Sequence, residues 1–204
     1  MMLDESKAVV VYVALGDSTG VGVGAREGGY VARLFDRIRR ERPAARLQNL
    51  CVSGATSADL LRGQLARGIA AHPTLVTIGI GINDVARSVT EEEFARNYEE
   101  IVSRLRRETH AQVVVTNLPD ISLAPAVPVY LQAEVRRRLL AFNLRLKELA
   151  ERHGLLLVDA YEMTRETIPQ HPEFFSADNF HPSDAGYEYW AELMWPTVKS
   201  ALED

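Results

Sequence analysis

Short apolar runs alternate with longer amphipathic segments along the chain. Five runs rich in β-branched residues predict strands at residues 8–15, 46–52, 74–80, 111–118 and 155–159. Segments in which apolar residues recur with helical spacing predict helices at residues 29–42, 57–71, 90–109, 129–154 and 183–202. This alternation is typical of parallel strands joined by right-handed crossovers, with helices on both faces. We therefore predict one α/β domain over residues 1–204, a three-layer α/β/α sandwich around a five-stranded parallel sheet.

Three helix boundaries carry local signals. Thr90 followed by Glu93 predicts a capping box, because each side chain can satisfy a backbone N–H of the other residue. Gly154 predicts the end of a long helix ahead of the fifth strand. Pro182 suits an early position of the last helix, where its missing N–H costs nothing.

The first strand ends in an abrupt turn, GDSTG, at residues 16–20. Glycines on both sides mark a sharp change of direction and leave Ser18 at the carboxyl end of the strand. Open α/β sheets bind their ligands at this edge. Three more polar segments, at residues 49–54, 79–84 and 178–182, can reach the same edge if the sheet is parallel. We therefore predict that Ser18 is a nucleophile.

These four segments resemble the conserved blocks of the GDSL, or SGNH, hydrolases. The motifs are G-D-S at residues 16–18, S-G at 53–54, G-x-N-D at 81–84 and D-x-x-H at 178–181. G-D-S alone is a weak signal, but the order and spacing of all four cover nearly the whole chain. The resemblance implies a flavodoxin-like fold. It also implies that Ser18 is the nucleophile, His181 its base and Asp178 the partner of that base. The oxyanion donors that it implies are the backbone N–H of Ser18 together with Gly54 and Asn83.

The chemistry of these residue types suits acyl transfer. Serine is a poor nucleophile until a neighbouring base takes its proton, and histidine can do so near neutral pH. A carboxylate on the other ring nitrogen fixes the tautomer, and Asp178 and His181 are close enough in sequence to meet within one loop. Gly54 lets a backbone N–H approach an oxyanion, and Asn83 offers an amide donor. We predict a serine esterase or acylhydrolase that works through an acyl-enzyme.

Several neighbouring residues have a simpler structural interpretation. Ser18 taken alone suits a helix N-cap. Asp17 suits a hydrogen bond within its turn rather than a catalytic role. Asp84 is expected to cap a segment or hold its loop. Asn49 is expected to bond across strand ends and to steady the loop at residues 53–54.

The same turn also fits G-x-S-x-G, the nucleophile elbow of the α/β-hydrolases, which implies a different fold. That elbow normally follows several strands, whereas one predicted strand precedes Ser18. The elbow fold also separates its acid and histidine widely, whereas Asp178 and His181 are neighbours. We therefore favour the GDSL interpretation.

A glycine-rich loop after the first strand supports a hypothesis of another class, a nucleotide- or flavin-binding module that hydrolyses nothing. Its glycines are Gly20, Gly22, Gly24, Gly28 and Gly29. Their spacing fits neither G-x-G-x-x-G at the turn nor a P-loop, because no lysine occurs between Lys7 and Lys147. This hypothesis leaves the pair of Asp178 and His181 unexplained.

Composition and charge limit the classes of partner and cofactor that the chain is expected to bind. A net charge of −5 argues against nucleic acid and against stable association with anionic membranes. The single cysteine, Cys51, excludes an internal disulfide, and no Cys/His or acidic cluster indicates a metal. We expect no cofactor and a small-molecule ester as the partner. The acidic amino terminus lacks the features of a leader, so we expect a cytoplasmic protein.

Two apolar segments at the predicted catalytic edge are candidates for an acyl pocket. Residues 119–128 follow the fourth strand and are stiffened by prolines, and residues 172–175 precede Asp178. Apolar residues at a cleft suit an aliphatic or aromatic acyl chain. We predict activity on short-to-medium acyl chains. A cytoplasmic acyl thioesterase or lysophospholipase with the same triad is the alternative.

Overall fold

The computed structural model describes residues 9–203. Its strands are all parallel and comprise β1 Val11–Gly16, β2 Arg46–Asn49, β3 Leu75–Gly79, β4 Gln112–Thr116 and β5 Leu156–Val158. Their spatial order is β2-β1-β3-β4-β5. This is the flavodoxin-like order, in which the chain reverses its direction of winding between β1 and β3. A crevice opens at that switch point, beyond the carboxyl ends of the two strands.

Helices follow or connect the strands. They are α1 Ser18–Val21, α2 Tyr30–Glu41, α3 Ser57–Gly63, α4 Leu65–Ala70, α5 Ile82–Ala86, α6 Glu91–Glu108, α7 Val129–His153, α8 Ala160–Thr164 and α9 Asp184–Ala201. Single 3₁₀ turns lie at Ile121–Leu123, Ile168–Gln170 and Pro172–Phe174. The short helices α1, α5 and α8, which the apolar pattern does not predict, each begin just after a strand. Within residues 9–203, none of the helices has the length and hydropathy needed to cross a bilayer.

Alternating side chains of β1 divide the core into two layers. Tyr12 and Ala14 are buried against α2 and α9 on one face of the sheet. Val13 and Leu15 are buried against α3, α4, α6 and α7 on the other face. Both faces are apolar because helices cover both, as is usual for a parallel sheet. The predicted three-layer α/β/α architecture with a five-stranded parallel sheet is confirmed.

The predicted helix over residues 57–71 is wrong, because the structure has two helices, α3 and α4, that meet at Gln64. The side chain of Gln64 turns toward the sheet and bonds both backbone groups of Gly16. Its Oε1 accepts from Gly16 N at 2.8 Å, and its Nε2 donates to Gly16 O at 2.8 Å. The break therefore anchors the end of β1 directly before Ser18.

The boundary signals had mixed outcomes. Gly154 ends α7 with φ +59°, as predicted. The predicted capping box at Thr90 is only half formed, since Thr90 Oγ1 accepts from Glu93 N at 3.2 Å without a reciprocal bond. A complete capping box forms instead between Thr56 and Asp59.

Other boundaries of helices and strands also differ from the predicted ones. Pro182 lies before Ser183, the N-cap of α9, so its predicted place inside the helix is wrong. The strand predicted over residues 46–52 already ends at Asn49. The strand predicted over residues 8–15 runs from Val11 to Gly16, and residue 8 lies outside the described residues.

Candidate active site

Ser18 is the first residue of α1, directly beyond the carboxyl end of β1. Asp17 caps this helix, because its Oδ1 accepts from Thr19 N at 3.0 Å and from Thr19 Oγ1 at 2.8 Å. The capping role therefore belongs to Asp17 rather than to Ser18, and the hydrogen bonding predicted for Asp17 is confirmed. Ser18 is only 8% exposed, so the turn presents its hydroxyl to a narrow part of the surface.

The carboxyl of Asp17 is almost completely buried, at 1% exposure. Burial raises its pKa to about 6, although the hydrogen bonds from Thr19 and the nearby His181 act in the opposite direction. The carboxyl next to Ser18 thus lies in a low-dielectric environment, which disfavours its ionised form.

Asp178, His181 and Ser18 form a continuous chain of hydrogen bonds. His181 Nδ1 lies 2.6 Å from Asp178 Oδ2, and His181 Nε2 lies 3.0 Å from Ser18 Oγ. An ionised carboxylate can only accept, so Nδ1 carries the proton and Nε2 of the neutral ring accepts from the serine hydroxyl. These distances lie within the reach expected of a nucleophile, its base and the group that orients the base.

The loop that carries Asp178 and His181 is held by bonds within itself. Asp178 Oδ1 accepts from Ser176 Oγ, Phe180 N and His181 N, at 2.8–2.9 Å. Partial burial opposes ionisation, but these donors and the imidazole hold the pKa of Asp178 well below its usual range. Asn179 adopts φ +62°, a left-handed conformation that Asn tolerates and that closes the turn.

The glycine-rich loop packs against this histidine-bearing loop. A Cβ on Gly24, whose φ is +95°, would lie 2.8 Å from both Pro182 O and Ser176 Oγ. Tyr187 Oη donates to Val23 O at 2.8 Å from the other side. Gly24 therefore permits a close approach that joins the segment after Ser18 to the segment around His181.

Asp184, at the start of α9, takes the donors of the same loop. Its Oδ1 accepts from Glu27 N at 3.0 Å, and Arg26 N lies 3.2 Å from both carboxylate oxygens. Arg33 Nη2 also donates to Asp184, at 2.8 Å. Two backbone donors of this loop are thus bonded to a carboxylate of the chain. Nor do three or more His, Cys, Asp or Glu side chains anywhere in residues 9–203 converge as a metal site would require.

Asn83 lies on α5, directly after β3, and faces the same cleft as Ser18 and His181. Its Nδ2 donates to Ala55 O at 2.9 Å, which uses one of the two amide hydrogens and leaves the second for another acceptor. Gly54 adopts φ +78° in the adjoining loop but does not line the cleft. The structure thus places Asn83 in the same cleft as the serine, whereas Gly54 is not among the residues that line this cleft.

Asp84, the neighbour of Asn83, anchors the same loop through hydrogen bonds. Asp84 is fully buried and accepts from Ser57 N at 2.9 Å and from Ser57 Oγ. Asn97 Nδ2 donates to Ser57 Oγ at 3.0 Å and extends the network to α6. Asp84 therefore holds the loop, as predicted.

The role predicted for Asn49 is confirmed in part, because Asn49 bonds across strand ends but not to the loop at residues 53–54. Its Nδ2 donates to Gly20 O at 2.9 Å, and its Oδ1 accepts from Cys51 N at 3.1 Å. Asn49 therefore steadies the segment after Ser18 and not the loop at residues 53–54. The reason is the strand order, because β2 lies beside β1, so its end faces the turn of β1.

Apolar side chains make up most of the cleft around Ser18. Both predicted segments contribute to it, through Pro119, Ile121 and Ala124 and through Phe174 and Phe175. A second wall, which the sequence analysis missed, comes from α8, the following 3₁₀ turn and α9, through Thr164, Ile168, Gly186, Tyr189 and Trp190. Residues 186, 189 and 190 share one face of a helix that begins just after His181, and this spacing is the signal that could have found them.

The chain matches known proteins over most of its length. The sequence profile of the GDSL-like Lipase/Acylhydrolase family matches residues 14–189. Esterase TesA of Pseudomonas aeruginosa is 28% identical over 204 residues, covering 99% of this chain and 94% of the relative. An acetylxylan esterase of Geobacillus stearothermophilus is 28% identical over 171 residues, covering 80% and 78% respectively.

Solved structures agree with the fold. A crystal structure of TesA superposes with a TM-score of 0.76 at 27% identity, covering 94% of this chain and 99% of that chain. A structure named as a GDSL-like lipase of Parabacteroides merdae gives 0.81 at 18% identity, covering 95% and 97%. The second likeness bears on the fold alone, and both support the three-layer architecture with its parallel sheet.

Proposed function

We propose that this chain, which belongs to the GDSL-like lipase/acylhydrolase family and is a hydrolase of ester bonds, acts through a triad of Ser18, His181 and Asp178. The observation that carries the proposal is the continuous chain of hydrogen bonds between the three residues, with distances of 2.6 and 3.0 Å. Ser18 Oγ attacks the ester carbonyl while His181 Nε2 takes its proton. His181 then returns that proton to the departing alkoxide, and the acyl group stays on Ser18.

Hydrolysis of the acyl-enzyme repeats the sequence with water. His181 Nε2 takes a proton from the water, whose oxygen attacks the acyl carbonyl. Collapse of the tetrahedral intermediate releases the carboxylic acid and returns the proton from His181 to Ser18 Oγ. Asp178 remains ionised throughout, orients the ring through Nδ1 and stabilises the imidazolium that forms in each step.

Three donors are proposed to stabilise the oxyanion of each tetrahedral intermediate. They are the backbone N–H groups of Ser18 and Gly54 and the second amide hydrogen of Asn83. The contact of Asn83 with the cleft and its fixed bond to Ala55 O support its role, because a preorganised donor needs no rearrangement when charge develops. Gly54 is included in the proposal because its loop adjoins Asn83 and because it stands in the S-G motif of the family.

The substrate is proposed to be an ester with a short-to-medium acyl chain. Apolar walls from residues 119–124 and 174–175 support this choice. An acyl thioesterase or lysophospholipase would use the same residues and is the second candidate. The nucleotide-binding hypothesis is disfavoured, because two backbone donors of the glycine-rich loop, those of Arg26 and Glu27, are bonded to Asp184.

The test compares hydrolysis of p-nitrophenyl acetate and p-nitrophenyl octanoate by the wild type and by Ser18→Ala, with fluorophosphonate labelling in parallel. We expect Ser18→Ala to lower turnover by a factor on the order of 10⁴–10⁶ and to lose the label. Ser200→Ala, an exposed serine on the far turn of α9, is the matched control and should keep both properties. A folded wild type that is inert and unlabelled would contradict the proposal.

A further inference from the structure

A small chamber adjoins the catalytic cleft. Its lining includes the polar side chains of Asp17, Thr116 and Asn117, which the proposed mechanism does not use. The chamber and the cleft share four lining residues, which are Thr19, Ile82, Pro119 and Trp190. These four side chains are therefore the partition between the two spaces.

Trp190 is by far the largest member of this partition. Thr19 is short and is held by its two hydrogen bonds to Asp17. Ile82 and Pro119 are compact and sit at the ends of the cleft segments after β3 and β4. Removal of the indole is thus the single change that would join the cleft to the chamber.

The indole is held rigidly in place. Its ring stacks on Tyr30, with centroids 5.6 Å apart and planes at 19°. Tyr30 itself is completely buried in the core layer that α9 covers. Trp190 Nε1 is buried and has no hydrogen-bond acceptor among residues 9–203, so the side chain contributes its shape rather than a hydrogen bond.

We propose that Trp190 sets the upper limit to the length of acyl chain that this enzyme accepts. The inference rests on the proposed function and deepens it, since it names the residue at which the acyl pocket ends. An acyl chain that leaves Ser18 along the apolar walls gains about fourfold in kcat/KM for each methylene it buries. A chain long enough to meet Trp190 must displace a stacked indole, so the gain stops there.

The first experiment measures kcat/KM for a series of p-nitrophenyl esters from acetate to dodecanoate. In the wild type, kcat/KM should rise with chain length to a turning point and then fall. In Trp190→Leu the turning point should move to longer chains, because the chain can enter the space that the indole fills in the wild type. The readout is the ratio of long-chain to short-chain kcat/KM, which general destabilisation does not change.

Trp195 supplies a matched control on the same helix. It is also partly buried against the core around α2 and α9, but it does not line the cleft. Trp195→Leu should therefore keep the wild-type turning point. Trp190→Phe keeps a ring against Tyr30 and removes the unpaired donor, so it should fold even if Trp190→Leu does not, and it should shift the turning point by less.

Fluorescence gives an independent readout, because the chain has only two tryptophans. In Trp195→Phe, Trp190 is the sole emitter. Labelling of Ser18 with ethyl and octyl fluorophosphonates should leave its emission unchanged for the ethyl group and shift it for the octyl group. In Trp190→Phe, where Trp195 is the sole emitter, the two labels should give the same spectrum.

The outcomes separate the two proposals. A folded wild type that hydrolyses no ester and takes no label overturns the proposed function. An active wild type whose turning point is unchanged in Trp190→Leu and Trp190→Phe overturns this inference alone. Emission of Trp190 that does not change with the length of the attached chain would also overturn this inference alone.

Discussion

The two halves of the candidate triad are held in different ways. Ser18 follows β1, which has a strand on each side, and Gln64 fixes the end of that strand through both backbone groups of Gly16. Asp178 and His181 lie on a surface loop whose bonds are mostly its own, and the Asp178 side chain is 45% exposed. Ser18 is thus positioned by the sheet, whereas His181 is positioned by one short turn.

The carboxylates of the two halves show what this difference does to charge. Burial raises the pKa of Asp17 to about 6, since its hydrogen bonds from Thr19 do not compensate for lost solvent. Several converging donors hold the pKa of Asp178 well below its usual range, although partial burial acts against them. A loop near water can therefore keep its carboxylate ionised beside the imidazole, whereas ionisation of the carboxyl in the buried turn costs free energy.

Asp178→Asn should give the largest effect among variants that keep the loop intact. The backbone donors of Phe180 and His181 require an acceptor at Oδ1, so the new amide nitrogen must face His181 Nδ1. That nitrogen donates to Nδ1, puts the ring proton on Nε2 and leaves Ser18 without a base. We expect kcat to fall by about 10⁴ with little loss of stability. A fall of less than tenfold would contradict a role in orienting the base.

Asn83→Ala tests the half of the site that depends on the sheet. Loss of one oxyanion donor should lower kcat by about 10²–10³ with a smaller change in KM. Asn97→Ala is the matched control, because Asn97 belongs to the network behind Asn83 and does not line the cleft. It should cost about 1 kcal/mol of stability and leave kcat nearly unchanged. Unchanged turnover in Asn83→Ala would remove this residue from the oxyanion hole.

The buried carboxyl of Asp17 should make stability fall as pH rises. Its pKa is raised from 3.8 to about 6 on folding, so its contribution is fully present below pH 3.8 and is lost as pH rises through about 6. Relative to Asp17→Asn, the free energy of unfolding of the wild type should therefore decrease by about 3 kcal/mol across this interval. Urea unfolding of both proteins at a series of pH values measures the difference.

Asp178→Asn supplies the opposite sign in the same series. Because the folded pKa of Asp178 is lowered, its contribution is present above the ordinary value of 3.8 and is lost as pH falls below it. The stability of the wild type relative to Asp178→Asn should therefore increase with pH. Two differences of the same sign would show that the contrast between the turn and the loop is wrong.

The smallest expected effect concerns the turn of the histidine loop. Asn179 has φ +62°, which valine avoids at a cost of about 1–2 kcal/mol, whereas glycine adopts it freely. Asn179→Val should lower kcat by at most about thirtyfold, and Asn179→Gly should keep it. His72, with φ +51° before β3, is a matched left-handed position away from the catalytic edge. Equal losses of kcat in His72→Val and Asn179→Val would show a general effect of stability.

Much of the fold could be predicted because its signals are local. Val13 and Leu15 alternate with Tyr12 and Ala14 along β1, so a strand buried on both faces shows as a continuous apolar run. The pairing of Asp178 with His181 is also readable, because the two lie within one loop turn. Their catalytic roles, and those of Ser18, Gly54 and Asn83, remain predictions.

The sequence by itself determined the order of strands and helices, the layers they form and the turn that ends in Ser18. Tertiary structure alone decided that Gln64 breaks a helix to bind Gly16, that Asp184 accepts from two backbone N–H groups of the glycine-rich loop and that Trp190 lines the cleft. The physical reason is the separation along the chain between the residues in contact. Periodicity reports which face of an element is apolar, whereas these contacts join residues far apart in the chain and exist only after the elements have packed.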